Sequence, residues 1–168
     1  VQMVFLGTGD PHYEHLLRNM AERYPRQVAA RIGFDESLAH QIEAGSDIFL
    51  MPSRFEPCGL NQMYSLRYGT VPIVRRVGGL ADSVRHYSGQ PESLQQADGF
   101  VFSDYTIEAF RDTVERALDT WHDRRVWDQL VKNGMSRDWS WEHSAERYAE
   151  VYQTAIARIS GRRSEGRV

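Results

Sequence analysis

The chain has 168 residues, of which 41% are hydrophobic and 26% charged, and a net charge of −3. That length suits one domain on the usual scale of about 100–200 residues, and no apolar run reaches the roughly 20 residues of a membrane helix. The charge balance offers no basic footprint for nucleic acid. The single cysteine, Cys58, excludes an internal disulfide framework and makes a reducing, cytoplasmic compartment the expectation.

Residues 1–6 open directly into an apolar run without an initiator methionine, which reads as a chain cut inside a larger protein. Residues 3–6 are a predicted strand, closed by Gly7-Thr8-Gly9-Asp10-Pro11. Residues 12–24 carry Leu16, Leu17, Met20 and Tyr24 at helical spacing. A second strand is expected at 28–32, and Asp35-Glu36-Ser37 can cap a helix with Leu38 and Ile42 on its apolar face. The third strand, 48–51, is wholly apolar and stops at Pro52. Residues 61–68 read as a helix, 71–74 as the fourth strand, and Arg75-Arg76-Val77-Gly78-Gly79 as its terminating loop. Residues 80–86 suit a short helix, 88–98 a polar loop and 99–102 a fifth strand. Three helices follow over 106–119, 124–133 and 144–159, and the polar end, 160–168, reads as a frayed tail. Short, unmixed apolar strands alternating with helices predict an α/β, Rossmann-like parallel sheet with helices on both faces. Ligands of such sheets sit beyond the strands' carboxyl ends, where the glycine-rich and charged loops gather.

The most informative loop is Pro52-Ser-Arg-Phe-Glu-Pro-Cys-Gly-Leu-Asn-Gln62. Pro57 and Gly59 impose a tight turn and let a ligand approach the backbone. The N–H groups of Gly59, Leu60, Asn61 and Gln62 fall at the start of the next helix, where orphan donors and the helix dipole make an anion site. Glu56 just ahead of it would repel a bare phosphate, so a phosphate carrying a hydroxyl-rich group is the ligand implied. Glu56 could equally serve only to stabilise the dipole. Cys58 lacks a neighbouring His or Asn partner and reads as a ligand-adjacent thiol, not a nucleophile. The loop 75–82 invites close backbone approach through Gly78 and Gly79, or is simply a turn and helix cap. Phe34, after the second strand, could stack on a base or belong to the core. The six histidines show no metal-ligand spacing. Trp121, Trp127, Trp139 and Trp141 read as packing or interface residues.

The run 52–62, followed by Tyr68-Gly-Thr-Val-Pro-Ile-Val74 and Arg75-Arg-Val-Gly-Gly-Leu-Ala-Asp82, resembles the bacterial glycogen synthases and plant starch synthases. The similarity extends from Phe5-Leu-Gly-Thr-Gly-Asp10 to Asn133-Gly-Met-Ser-Arg-Asp-Trp-Ser-Trp141. These are retaining glucosyltransferases of the GT-B architecture, with two facing Rossmann-like domains. The resemblance implies the C-terminal, nucleotide-sugar-binding half over residues 1–159, lacking its first strand–helix unit. It also implies ADP-glucose as donor and the non-reducing end of an α-1,4-glucan as acceptor, without a metal. By resemblance, Glu56 is catalytic: it contacts the donor glucose and stabilises positive charge at the anomeric carbon. Cys58 and Gly59 face the glucose hydroxyls, Leu60 and Asn61 bind the diphosphate, and Gln62 belongs to the same donor site. Phe34 matches an aromatic position that stacks on adenine.

Related transferases carry a second glutamate eight positions on, where this chain has Tyr64. A carboxylate nucleophile is therefore not expected, and front-face displacement assisted by the leaving phosphate is the mechanism implied. The diphosphate-clamping Arg and Lys and the acceptor-side N-terminal domain would lie upstream of Val1. The chain alone is thus expected to bind donor weakly, to transfer nothing, and to carry an open sheet edge. The location would be cytoplasmic, or a plastid for a plant-type enzyme. Alternatives are a UDP-glucose-using GT-B transferase and a non-catalytic nucleotide-binding module.

Overall fold

The computed structural model describes residues 1–165. Its elements run β1 (Met3–Gly7), α1 (Pro11–Arg23), β2 (Val28–Ile32), α2 (Glu36–Ala44), β3 (Ile48–Met51), α3 (Asn61–Tyr68) and β4 (Val71–Arg75). They continue with α4 (Gly78–Ser83), α5 (Pro91–Leu94), β5 (Phe100–Phe102), α6 (Ile107–His122), α7 (Arg124–Met135) and α8 (Trp141–Glu165). The α/β alternation expected from the apolar runs is present. Three details differ from the expectation. The short helix expected over 80–86 runs from Gly78 to Ser83, and His86 pairs with Gly99 instead. The polar stretch 88–98 contains the single-turn α5, because Pro91 stands in its first turn and Ser93 Oγ donates 2.8 Å to the Gln90 carbonyl. The last helix begins at Trp141 and runs through Glu165, past the point where the polar composition suggested fraying; residues 166–168 lie outside the described residues.

All strand pairs are parallel. β1 pairs with β2, Met3 opposite Val28, and the order β3-β4-β5 sets Ile48 opposite Val71 and Ile73 opposite Phe100. The two sheets share no strand pair. The doubly wound order 3-2-1-4-5-6 puts one strand between two such groups, and no described residue occupies that position.

β4 is the centre of the three-stranded sheet and is buried along Val71–Val74. Its pleat divides the core. Val71 and Ile73, with Phe100 and Phe102 of β5, face Ala117 of α6 and Trp127 and Leu130 of α7. Val74 and Val101 face the other way, onto Leu80 and Val84. Helices therefore cover both faces, as a parallel sheet requires. Full burial of each of these large side chains contributes about 1.5–3 kcal/mol. Pro72 is tolerated in a central strand for a topological reason. The Val71 N–H bonds to the Asp47 carbonyl on the β3 side, so alternation turns residue 72 toward β5. The β5 ladder begins one residue later, at Ile73 opposite Phe100, and the missing proline donor leaves nothing unpaired.

Caps mark the helix starts. Asp10, Asp35 and Thr106 accept from His12, Leu38 and Ala109 N–H groups at the heads of α1, α2 and α6. Asn133 on α7 fastens the 88–98 segment by donating to the carbonyls of Leu94 (2.8 Å) and Ala97 (2.7 Å). Trp127 stacks on Phe100, as packing would have it, whereas Trp141 is exposed. The contact pattern divides the chain into two compact units, Val1–Met135 and a second beginning at Ser136, where the sequence suggested one body to residue 159 and a tail from 160. No described helix is long and apolar enough to cross a membrane.

Candidate functional site

After β3 the chain turns through residues 52–60 into α3, at the carboxyl end of the sheet. Gly59 makes the turn possible. Its φ of +74° lies in the left-handed region, and a Cβ there would meet Gln62 Oε1 at 2.5 Å. α3 then starts at Asn61 with Leu60 as N-cap, a residue whose side chain has no acceptor to offer. Unlike α1, α2 and α6, this helix is not closed by its own sequence. The N–H groups of Gly59, Leu60, Asn61 and Gln62 take no protein acceptor among the described residues, while those of Met63 and Tyr64 already bond to the Leu60 carbonyl. A run of unsatisfied donors at the positive end of a helix is an anion site. Glu56 is half-buried just ahead of it, and Cys58 is exposed on the turn.

A second loop locks against the first. A Cβ on Gly78 would collide with the Glu56 carbonyl, and one on Gly79 with the Cys58 backbone. The Gly79 N–H donates to the Pro57 carbonyl at 3.2 Å. Gly78 also takes φ +44°. The glycine pair is therefore demanded by close approach of residues 56–58, not by a free-standing turn. Beneath both loops lies Gln62, fully buried. Its Nε2 donates to the carbonyls of Cys58 (3.1 Å) and Gly59 (3.1 Å) and to Ser83 Oγ (3.0 Å), and Ser83 in turn donates to the Gly79 carbonyl. This one amide ties the first loop and the start of α3 to the end of α4, and its Oε1 has no partner among the described residues.

The sequence-predicted residues fall as follows. Glu56, Cys58, Gly59, Leu60, Asn61 and Gln62 share one turn and helix start. Phe34 stands apart at the end of β2, in the other sheet, 90% exposed. An aromatic so exposed is not part of the core. Tyr64, at the position of the absent second glutamate, packs its ring against His40 of α2, centroids 5.4 Å apart. Sequence reasoning missed two roles. The Gln62 side chain is a buried strap, which only its position one turn after a Pro-Cys-Gly run could have hinted at. Arg75 bridges two loops, with Nη1 donating 2.9 Å to the Arg54 carbonyl and its guanidinium 5.0 Å from the Tyr105 ring centroid.

A parallel α/β sheet with an uncapped helix N-terminus beyond its strand ends, a carboxylate before it and glycine loops locked around it is the architecture of the doubly wound α/β class of domain. Residues 1–134 match the family model described as glycosyl transferases group 1, and the chain belongs to that family. Within it, the chain is 59% identical over 154 residues to the glycogen synthase of Anaeromyxobacter sp. (strain K), covering 92% of this chain and 32% of the relative. It is 51% identical over 152 residues to that of Koribacter versatilis, covering 90% and 31%. In structure it is similar to the catalytic domain of starch synthase IV from Arabidopsis thaliana, with a TM-score of 0.80 at 36% identity over 93% of this chain and 32% of that one. The fold is thus that of a GT-B glycosyltransferase domain, and the chain spans about a third of the length of the relatives it matches.

Proposed function

We propose that this chain forms the donor side of a retaining glucosyltransferase, which transfers glucose from ADP-glucose to the non-reducing end of an α-1,4-glucan in the cytoplasm. The observation that carries this reading is the turn 56–62. Four consecutive N–H groups without acceptors await a diphosphate at the head of α3, and Glu56 precedes them. The phosphate charge is met by oriented backbone donors, which are already in place and need no reorganisation as the leaving group departs. The reading needs no metal ion. Glu56 is positioned to accept from a glucose hydroxyl and to favour positive charge at the anomeric carbon. Cys58 and Gly59 line the sugar side, Leu60, Asn61 and Gln62 the phosphate side, and exposed Phe34 supplies a face for adenine. With Tyr64 engaged against α2 and no second acid in the turn, a double displacement lacks its nucleophile. Front-face displacement assisted by the leaving phosphate suits the site better. Similarity to glycogen synthases, and to a starch synthase domain whose structure is bound to ADP and acarbose, supports the donor and acceptor assigned.

Amide chemical shifts of the labelled chain, titrated with ADP, UDP and ADP-glucose, test the reading. ADP and ADP-glucose are expected to move Phe34 and residues 59–62, with UDP weaker. Glu56→Ala should remove the preference for ADP-glucose over ADP. No movement at millimolar ADP would sink the assignment.

A further inference from the structure

Two aromatic rings stand in solvent at the strand ends without a place in the donor reading. Phe55, directly before Glu56, is 78% exposed, and Tyr105, between β5 and α6, is 58% exposed. A single guanidinium joins their loops. Arg75 holds the Arg54 carbonyl, in the peptide that leads into Phe55, and lies over the Tyr105 ring. The rings therefore belong to two loops that one half-buried side chain joins. Tyr105 is oriented by its cation–π contact before any ligand arrives, which lowers the ordering cost of using it.

The surroundings select the kind of ligand. Arg54, Ser103 and Asp104 on the same loops, and Arg76 next to Arg75 in the chain, are exposed. A rim of charges and hydroxyls suits neither a lipid surface nor an apolar protein face. It suits a molecule with apolar C–H faces and hydroxyl edges, which is the chemistry of a pyranose chain. Its C–H faces settle on aromatic rings by dispersion and weak C–H contacts, while its hydroxyls meet the polar rim. We propose that Phe55 and Tyr105 form a stacking platform for consecutive residues of an α-1,4-linked glucan, held in register by Arg75 and ending beside Glu56. This rests on the glucosyltransferase reading and adds the acceptor's path on this side of the site.

The test titrates the chain, carbon-13 labelled in its Phe and Tyr rings, with maltoheptaose, cellohexaose and ADP separately. Maltoheptaose is expected to move the ring signals of Phe55 and Tyr105 and to leave Phe34 in place, with cellohexaose weaker. Phe55→Leu and Tyr105→Leu, both at exposed positions where folding is not at stake, should each weaken maltoheptaose binding roughly three- to tenfold, the scale of one aromatic stacking contact. Shifts caused by ADP at residues 59–62 should be unchanged in both variants. Silent Phe55 and Tyr105 signals under maltoheptaose, or undiminished affinity in both leucine variants, overturn the platform. Equal binding of cellohexaose overturns the α-glucan assignment. Failure of ADP to move residues 59–62 is read separately and strikes the donor site, not the platform.

Discussion

At the scale of single residues, the site depends on contacts that allow no extra atom. Gly79 lies so near Cys58 that a methyl group would have to displace backbone, which cannot swing aside as a flexible side chain can. Gly79→Ala should therefore force the 56–58 turn away from α4 and break the bond from Gly79 N–H to the Pro57 carbonyl. The expected cost is about 2–4 kcal/mol, in the range of overpacking plus a lost hydrogen bond, read from urea unfolding, together with loss of the ADP-induced shifts at residues 59–62. A variant of native stability with intact shifts would show that the two loops are not interlocked. The residues that the motif singled out were legible because Pro57 and Gly59 prescribe a turn and Asn61 starts a helix. The glycine pair was visible but ambiguous, since a local turn and a tertiary contact call for the same residue.

At the scale of elements, α2 meets α3 around a buried carboxyl. Glu43 is 5% exposed, and its Oε2 has no partner among the described residues. Next to it the Thr70 hydroxyl reaches the Glu43 and Ser46 carbonyls (2.5 and 2.9 Å), and Tyr68 Oη lies 3.3 Å from His40 Nδ1. Burial pushes the Glu43 carboxyl above its ordinary range, with His40 offsetting part of the rise. A carboxyl with a raised folded pKa contributes stability below the unfolded pKa and loses it as pH rises through the folded value. Glu43→Gln, neutral at every pH, should thus raise Tm at pH 7 by roughly 2–4 °C, about 1 kcal/mol for a chain of this size, and leave it unchanged near pH 3. Equal melting of the two proteins at pH 7 would mean that the carboxylate is solvated. Nothing in the sequence flagged Glu43. Its neighbours on α2 suggest an exposed polar face, and its burial appears only once α2 is packed against α3.

At the scale of the whole molecule, burial is uneven. No residue among 1–42 is buried, although β1, β2 and α1 are regular, whereas residues 62–130 hold every member of the two core clusters. Elements with few buried apolar contacts open at low free energy. Hydrogen exchange should therefore be fast and sub-global across β1, α1 and β2 and slow across β4, α6 and α7. Uniform protection over both regions would refute that division. The unpaired edges of β1 and β3 belong to the same picture, since each exposes ladder groups that a further parallel strand would satisfy.

The sequence by itself determined the order and type of nearly all elements and the chemical character of the 52–62 turn. Hydrophobic period, caps and turn residues act over a few positions, and all of them are written locally. Only the tertiary structure decided how those pieces serve the site. The 56–58 turn is locked against Gly78 and Gly79, the Gln62 side chain is a buried strap, and Arg75 joins the loops of Phe55 and Tyr105. Each of these is a contact between residues some 20 or more positions apart, where only the packing of β4 between β3 and β5 brings the loops within reach of one another.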